Sequence, residues 1–335
     1  DVYWGRQELD RNLHFTADFI GEFGLASSPN IESARKYLSE EDFQSWPPAD
    51  DGNFAHHTPM FNQNHDLPIL MQYAEVFSHN QSLPEFINAS QIAQATGIRH
   101  TLELARTRFP ECAGTCYYKL TDVFPSIAWS TIDYYGVPKF SYYIIQDSYQ
   151  PLCAVVLFDK LNFKHEKASL PIYVLDDTEL LQNCRNWKVT VSAYNGSLKK
   201  ISDFEYSGTG ALGQVKQIGT LTLTEEMTDT DPLFVVSEIC CDEEEPIRSF
   251  YWLNYQYDKD WMAKLPKASL DYTIEEQEIC ISNIGSVPAV AVHFNCENIS
   301  DRLIVSDNFC WLNPGETKKV AVNDTRIDGV SAWNV

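Results

Sequence analysis

Apolar and polar positions follow two different periods along the chain, and the change falls near residue 150. From residue 30 to residue 109, apolar residues recur every three or four positions, which is the spacing of amphipathic helices. Helices are expected over 31–38 with Asn30 as the N-cap, from Ser39-Glu40-Glu41-Asp42 onward, over 67–77 and over 83–109. The last segment is long enough to hold two helices with a break near Gly97.

Two short runs rich in β-branched and aromatic residues bracket the helical block, and they predict strands over 15–23 and 114–123. A helix-like segment over 139–148 follows the second run. Strand, helices, strand and helix in this order are typical of a parallel α/β sheet or barrel. Residues 1–150 are therefore expected to form one α/β unit.

Beyond residue 151 the apolar positions alternate with polar ones, which is the period of half-buried strands. A first set of strands is expected at 154–158, 170–175, 187–193, 219–224, 233–239 and 249–255. A second set follows Pro266, at 268–274, 278–283, 289–295, 303–305 and 318–322, with a turn at Asn313-Pro314-Gly315. The prediction is two consecutive immunoglobulin-like β-sandwich domains, at 151–262 and 263–335.

Composition and charge narrow the choice of partners. The 335 residues are 44% hydrophobic and 21% charged, which excludes disordered, collagen-like and coiled-coil chains. A net charge of −22 repels phosphate backbones and anionic membrane surfaces, and the apolar runs are too short to span a bilayer. Nucleic acid and membrane are therefore not expected as partners, and the oligomeric state stays open.

Cysteines and glycosylation sequons bear on the compartment. Nine cysteines are scattered without a CxxC pair or a Cys/His metal spacing, so buried free thiols in a reducing cytoplasm are expected. Five Asn-x-Ser/Thr sequons, at Asn80, Asn88, Asn195, Asn298 and Asn323, leave a lysosomal or secreted location as the alternative. Because the chain begins with Asp1 rather than Met, we expect a processed, trimmed or incomplete gene product.

Glu22 is the first candidate for chemistry because it ends an apolar run and has glycine at 21 and 24. The carboxyl ends of parallel strands are where α/β folds place their active sites. A carboxylate there suits a nucleophile or a general base. The alternative interpretation is a carboxylate that closes the strand against a buried arginine or lysine.

Residues 114–136 interleave tyrosine, tryptophan and phenylalanine with aspartate, serine and threonine. Aromatic faces of this kind stack on the C–H faces of sugar rings, while the hydroxyls of the sugar pair with polar groups. Carbohydrate is therefore one candidate ligand. Packing of the aromatic side chains inside a strand core is the other interpretation.

Several motifs occur together in one order. They are Glu22-Phe23-Gly24, Ser90-Gln91-Ile92-Ala93-Gln94-Ala95-Thr96-Gly97, the segment 114–125, Trp129-Ser130-Thr131-Ile132-Asp133-Tyr134-Tyr135-Gly136, Pro138-Lys139 and Ser141-Tyr142-Tyr143. This set resembles the family 2 glycoside hydrolases of the β-mannosidase type, most densely over 15–158. Residues 263–268 are also similar to the junction between the two C-terminal sandwiches of that family.

The resemblance implies that residues 1–150 are the C-terminal part of a (β/α)8 TIM barrel, with Glu22 as the nucleophile at the end of the seventh strand. It implies a retaining exo-glycosidase that releases terminal β-D-mannose from β-mannosides through a covalent glycosyl-enzyme. The acid/base glutamate of the family follows an asparagine, and this chain contains no Asn-Glu pair. The chain alone is therefore expected to be an inactive fragment, and neither a cofactor nor a metal is required.

The resemblance also implies substrate contacts. Trp4, Tyr118 and Trp129 are expected to form part of the subsite wall, where Tyr118 stands in place of a family tryptophan. Asp122 and its motif neighbour Asp133 match family positions, with hydrogen bonding to backbone as the alternative role. His57, next to His56 in a predicted loop, is expected at the substrate edge, with a solvated loop pair as the alternative.

Departures from the family pattern keep other functions open. Gly21 replaces the serine that usually precedes the nucleophile, and Lys119 and Thr121 differ from the family residues. Another family 2 specificity, such as β-galactosidase, β-glucuronidase or endo-β-mannosidase, is therefore an alternative. A second alternative is a non-catalytic chain whose sandwich modules act as a scaffold or as weak sugar binders.

Overall fold

The structure, a computed structural model, describes residues 15–49, 51–58, 60–61, 64–65, 67–242, 244–255, 257–275, 277–295, 305–322 and 327–335. The helices are α1 Ile31–Ala34, α2 Glu40–Gln44, α3 Asn53–His56, α4 Leu67–Ala74, α5 Leu83–Thr107, α6 Phe140–Ser148, α7 Glu225–Thr228 and α8 Trp261–Lys264, with a 3₁₀ turn at Leu180–Asn183. The strands are β1 Ile20–Phe23, β2 Met60–Phe61, β3 Asn64–His65, β4 Thr115–Tyr117, β5 Leu152–Val156, β6 Ala168–Asp176, β7 Trp187–Tyr194, β8 Lys200–Gly208, β9 Val215–Leu223, β10 Leu233–Cys241, β11 Ile247–Leu253, β12 Leu270–Ile274, β13 Glu278–Asn283, β14 Ala289–Asn295, β15 Cys310–Leu312, β16 Thr317–Ala321 and β17 Gly329–Ser331.

The first unit contains two parallel strands with helices packed against them. β1 and β4 pair in parallel, with Ile20 opposite Thr115 and Phe23 opposite Tyr117. Phe23 packs with apolar side chains of α5 and α6 in a small buried cluster. The predicted order of strand, helices, parallel strand and helix is therefore confirmed for the described residues. β4 is shorter than the predicted segment 114–123, because the chain from Lys119 onward bonds to residues 129–132.

The helix α5 departs from expectation because it runs unbroken through Gly97. Every residue from Ala89 to Glu103 is buried, so tertiary packing offsets the cost of about 1 kcal/mol that glycine carries inside a helix. α1 is also shorter than expected, and Asn30 makes no side-chain cap bond to it. The Ser39 prediction is correct, since Ser39 and Asp42 form a reciprocal capping box at the start of α2.

Two antiparallel sheets follow the first unit, in the strand orders β5-β6-β9 and β11-β10-β7-β8. Alternate residues of β7 are buried, including Val189, Val191 and Ala193, as the alternating pattern predicts. The sheets contact each other through bonds such as the one from Ser237 Oγ to the Ala154 carbonyl oxygen, at 2.7 Å. β8 was not predicted, because most of its side chains are exposed and its sequence lacks the apolar alternation.

The last described strands form two three-stranded sheets, β12-β13-β16 and β15-β14-β17. Their inward side chains, among them Ile279, Ile281 and Val320, form a separate buried cluster. The turn at 313–315 is confirmed between β15 and β16, where Gly315 has a φ of +76°. β15 and β17 were not predicted, and both have only three residues. The predicted strand 303–305 lies mostly outside the described residues. Sandwich architecture is therefore observed, while the domain limits at residues 150 and 262 stay a prediction.

A buried polar cluster joins α5 to the first sandwich. The Arg99 guanidinium pairs with Glu103 at 3.0 Å and donates to the Phe250 carbonyl oxygen at 2.7 Å. The Tyr251 hydroxyl donates to the same Glu103 carboxylate at 2.9 Å, and Trp252 Nε1 donates to Thr96 at 3.1 Å. Buried hydrogen bonds therefore fix α5 of the first unit against β11 of the first sandwich. Among the helices described, none has the length and apolar content needed to cross a membrane.

Candidate functional site

Glu22 lies at the carboxyl end of β1 with its side chain exposed. Among the described residues, a Cβ atom built on the neighbouring Gly21 would meet no atom within 4 Å other than its chain neighbours, so no described side chain packs against β1 at that position. In the part of the chain that the structure describes, no side chain forms an ion pair or hydrogen bond with Glu22. The alternative of a carboxylate neutralised by a buried arginine or lysine thus finds no partner among the described residues.

The end of β4 lies beside the end of β1. The Tyr118 backbone N–H donates to the Phe23 carbonyl oxygen at 2.7 Å, so Tyr118 follows its strand at the same edge as Glu22. The Tyr118 ring is 41% exposed and meets the Trp129 ring edge-on, with 5.8 Å between the centroids. The Trp129 side chain is buried. The accessible Tyr118 ring and the buried Trp129 ring that contacts it therefore lie near the carboxyl end of β1.

Side chains bind the Asp122 carboxylate, whereas backbone N–H groups bind the Asp133 carboxylate. Ser130 Oγ donates to one Asp122 carboxylate oxygen, and Lys119 Nζ lies 3.0 Å from the other. Asp133 accepts hydrogen bonds from the backbone N–H groups of Tyr135 at 2.9 Å and Val137 at 3.0 Å. Burial raises the pKa of Asp133 above its ordinary value. Asp133 therefore shapes its own turn, while Asp122 connects two neighbouring segments.

His57 directly follows α3, so His56 and His57 belong to a helix end and not to the open loop that was expected. The His57 Nδ1 atom lies 2.8 Å from the Pro125 carbonyl oxygen, and the Ile127 N–H donates to the His57 carbonyl oxygen at 2.8 Å. The imidazole also packs on Tyr37, with 4.4 Å between the ring centroids. His57 thus supports the segment that leads to Trp129.

Gln94 is a positioning residue for which the sequence had given a motif but no role. Its side-chain amide is fully buried and donates to the carbonyl oxygens of Leu25 at 2.8 Å, Trp129 at 3.1 Å and Ser130 at 3.2 Å. Its carbonyl oxygen accepts from the Ser27 hydroxyl at 2.7 Å. The segment after Glu22 and the segment around Trp129 are therefore fixed to one side chain of α5.

Lys139 makes a second connection between the same two segments. Its ammonium is fully buried and donates to the carbonyl oxygens of Ser27 at 2.9 Å and Ala128 at 3.1 Å. Burial lowers the pKa of Lys139 from 10.5 to about 8, against the opposing effect of Asp122 and Asp133. Polar residues inside the apolar stripe of α5, such as Gln94, were the sequence feature that could have indicated this polar network.

One predicted contact, Trp4, lies outside the described residues. No group of three or more His, Cys, Asp or Glu side chains in the described segments is arranged to hold a metal ion. The structure therefore brings Tyr118, Trp129 and Asp122 together beside the end of β1. His57 reaches the same region through the segment 125–127.

Comparison with protein-family models gives no match for this chain. Among curated proteins, it is 22% identical over 161 residues to β-mannosidase B of Thermothelomyces thermophilus, covering 45% of this chain and 18% of that protein. It is 24% identical over 156 residues to β-mannosidase of Bos taurus, covering 43% of this chain and 17% of the relative. The matched region is thus less than a fifth of either relative.

Two solved structures share the fold across nearly the whole chain. The β-D-mannosidase of Dictyoglomus thermophilum superposes with a TM-score of 0.76 at 19% identity, covering 99% of this chain and 39% of that one. The exo-chitosanase of Amycolatopsis orientalis superposes with a TM-score of 0.76 at 15% identity, covering 98% of this chain and 44% of that one. This chain therefore spans less than half of each solved structure.

Proposed function

We propose that this chain, which resembles the C-terminal portion of the β-mannosidase type of family 2 glycoside hydrolases, supplies the nucleophile of a retaining exo-β-mannosidase. The observation that supports the proposal is the position of Glu22. Glu22 is exposed near the carboxyl end of β1, which pairs in parallel with β4, and it lies close to the Tyr118 end of β4. In a TIM barrel, catalytic groups occupy this end of the strands.

The proposed reaction has two displacements. The Glu22 carboxylate attacks the anomeric carbon of a terminal β-mannoside, the glycosidic bond breaks, and the leaving oxygen takes a proton from a general acid about 5 Å from the nucleophile. Water then attacks the anomeric carbon of the glycosyl-enzyme and gives a proton to the residue that acted as the general acid. The bond from that carbon to Glu22 breaks, which releases mannose and the free Glu22 carboxylate. Because this sequence contains no Asn-Glu pair, we assign the acid/base to a segment of the enzyme outside this chain.

The geometry around Glu22 supports the proposed sugar-binding roles. Tyr118 offers an accessible aromatic face for the C–H side of a pyranose, and Trp129 supports that ring from behind. We assign Asp122 and His57 to the edge of the same subsite, where Asp122 accepts a hydrogen bond from Ser130 and His57 contacts the 125–127 segment. Trp4 is proposed as a further wall residue on the strength of the family resemblance alone.

Covalent trapping tests the nucleophile directly. The gene product that contains this chain is treated with 2-deoxy-2-fluoro-mannosyl fluoride, whose fluoride leaves without a proton from the acid/base. Mass spectrometry is expected to find one fluoromannosyl group on the Glu22 peptide. Glu22→Gln is expected to lower turnover by several orders of magnitude and to abolish labelling. Glu40→Gln, an exposed glutamate in α2, is the matched control and should retain both properties. Labelling of any other carboxylate contradicts the assignment of Glu22.

A second candidate is a different sugar specificity on the same chemistry. Tyr118 replaces a family tryptophan, and the Amycolatopsis orientalis exo-chitosanase shares the fold as closely as the mannosidase does. A panel of nitrophenyl β-mannoside, β-galactoside, β-glucuronide and β-glucosaminide separates these cases. The proposal predicts the highest kcat/KM for the mannoside, and a higher value for any other sugar replaces the mannoside assignment.

In a third candidate function, the isolated chain has no glycosidase activity of its own. β1 and β4 form a two-stranded parallel sheet in the described residues, whereas parallel sheets are ordinarily covered on both faces. Large apolar side chains near its ends are exposed, including Phe19, Leu120 and Phe124. We therefore expect the 335-residue polypeptide alone to associate in solution and to leave β-mannosides intact. Sedimentation and a glycosidase assay test this, and clear hydrolysis by the isolated chain overturns it.

A further inference from the structure

A cleft of about 440 Å³ lies where the first unit meets the last sandwich. One wall comes from the start of α1 and the first half of α5, and the opposite wall comes from β14 and the segment that leads into β15. Its volume falls in the range of about 300–1,000 Å³ that is typical of small-ligand sites. Because Glu22, Tyr118, Trp129, Asp122 and His57 do not line it, the cleft is not part of the candidate site.

Aromatic and aliphatic side chains form much of the cleft surface. Phe309 and Trp333 line it and are half-buried. The buried Phe140 ring supports both of them, with 4.8 Å between its centroid and that of Phe309 and 5.6 Å to that of Trp333. Ile87 of α5 lies in the facing wall. An apolar face of a ligand therefore finds aromatic surface that is already held in place by packing.

His293 contributes a hydrogen-bond acceptor to the cleft. Its ring stacks on Phe309, with 5.2 Å between the centroids and 19° between the planes. The Nδ1 atom lies 2.8 Å from the Ala291 carbonyl oxygen, which is an acceptor only, so Nδ1 carries the hydrogen and Nε2 keeps a lone pair. Burial lowers the pKa of His293 below its ordinary value, which keeps the ring neutral.

Glu32 and Asn88 add polar groups to the facing wall. Glu32 is half-buried in α1, and none of the described lysine, arginine or histidine side chains forms an ion pair with its carboxylate. Asn88 is exposed on α5, and its side-chain amide both donates and accepts hydrogen bonds. The cleft thus offers two acceptors, Glu32 and His293, together with an amide that can do both.

One wall of the cleft is fixed by the side chain of Gln91. Its Nε2 atom donates to Asn30 Oδ1 at 2.8 Å and to the Ser28 carbonyl oxygen at 3.1 Å, and its Oε1 atom accepts from the Phe140 N–H at 3.0 Å. α5 is therefore bonded to the segment before α1 and to the start of α6. A ligand meets a preformed surface, so little binding free energy is lost to ordering of the protein.

We propose that this cleft binds a pyranose ring of a neutral saccharide, independently of the role proposed for Glu22. The C–H face of the sugar packs on Phe309 and Trp333, and its hydroxyls donate to Glu32 and to His293 Nε2. An organic ammonium ion also suits aromatic rings and a carboxylate, but it offers no acceptor to the Asn88 amide. Sugar hydroxyls both donate and accept, so the saccharide satisfies the whole lining.

Photolabelling of the gene product that contains this chain tests the location of the site. The probe is a β-thiomannoside with a diazirine on its aglycone, because the sulfur-linked glycoside resists hydrolysis. After irradiation and digestion, mass spectrometry is expected to find label on peptides that contain Asn88 or Phe309, and excess methyl β-thiomannoside should remove it. Glu22→Gln is expected to leave this label unchanged, so failure of the nucleophile assignment and failure of the cleft assignment give different results.

Asn88→Trp places a large side chain on the rim of the cleft, at an exposed position where the fold should be retained. We expect it to lower the label on the Phe309 peptide about tenfold or more. Gln72→Trp, at an exposed position of α4 outside the cleft, is the matched control and should keep the wild-type yield. Equal yields in the two variants contradict the proposal.

Two results with the wild-type protein also overturn the proposal. The first is label confined to peptides that contain Tyr118 or Trp129, which would assign the probe to the candidate site alone. The second is label on the Phe309 peptide that benzyltrimethylammonium removes and methyl β-thiomannoside does not, which would assign the cleft to an organic cation.

Discussion

The side-chain amide of Gln94 donates a hydrogen bond to the carbonyl oxygen of Trp129 over 3.1 Å, from the buried face of α5. The same nitrogen also reaches the carbonyl oxygen of Leu25, three residues after Glu22, over 2.8 Å. One helical side chain therefore sets the spacing between the carboxylate segment and the aromatic segment. Precise placement of this kind is what a displacement at a sugar carbon requires.

Gln94→Ala is expected to destabilise the first unit, because several buried polar groups lose their partner at once. Unsatisfied buried groups cost about 1–3 kcal/mol each, and partial relaxation leaves an expected loss of about 2–4 kcal/mol in the free energy of unfolding. Urea unfolding followed by tryptophan fluorescence measures the loss. Gln146→Ala is the matched control, since Gln146 makes one exposed bond to Ser306, at 3.1 Å. Equal effects of the two substitutions would argue against the positioning role of Gln94.

Lys139 predicts a pH dependence of stability with a definite sign. Its pKa in the folded chain is about 8, because of burial, and the ordinary value is 10.5. Between these values the unfolded chain binds more protons than the folded chain, so the stability contribution of Lys139 increases as the pH rises from about 8 to 10.5. Unfolding of the wild type and of Lys139→Met is compared across this range, so that other titrating groups cancel. A wild-type advantage that falls with pH contradicts the prediction.

The sequence predicted much of the fold because local patterns and tertiary packing agree in the strands. β13 and β14 have the predicted limits, and the alternating burial of β7 matches its apolar alternation. β8 was missed because most of its side chains are exposed and its sequence lacks a regular apolar alternation. The unbroken α5 was missed because burial of the segment around Gly97 outweighs the local preference for a break.

The candidate site was only partly predictable for a related reason. Glu22, Tyr118 and Trp129 belong to motifs, so the residues could be chosen from the sequence. Their connections could not, since Gln94 and Lys139 act across 35 and 11 residues through backbone carbonyl groups that no sequence pattern identifies. Asn30 shows the same effect. It was predicted as a helix cap, but its side chain instead bonds to Gln91 at 2.8 Å.

The buried pair of Arg99 and Glu103 predicts a large effect of a small substitution. Both side chains are 1% exposed, and Glu103 also accepts from Tyr251. Glu103→Gln leaves the Arg99 guanidinium without its main counter-charge, so we expect a loss of about 3–5 kcal/mol in the free energy of unfolding. Glu205→Gln is the matched control, because its pair with Lys188 is 2.8 Å long but about half exposed. The control should lose no more than about 1 kcal/mol. Similar losses at both positions would contradict a role of burial.

The proposed role of Tyr118 in sugar recognition can be tested separately for its hydroxyl and for its ring. If the ring face stacks on the pyranose, Tyr118→Phe should keep kcat/KM nearly unchanged, because Phe retains the stacking surface. Tyr118→Ala should lower kcat/KM about two- to tenfold, as expected for a stacking contribution of about 0.5–1.5 kcal/mol. Leu120→Ala is the control for loss of exposed apolar surface nearby, since the Leu120 side chain is 52% exposed. The measurements use the gene product that contains this chain and nitrophenyl β-mannoside. A large loss in Tyr118→Phe would assign recognition to the hydroxyl instead, whereas equal losses in Tyr118→Ala and Leu120→Ala would remove the tyrosine from the subsite.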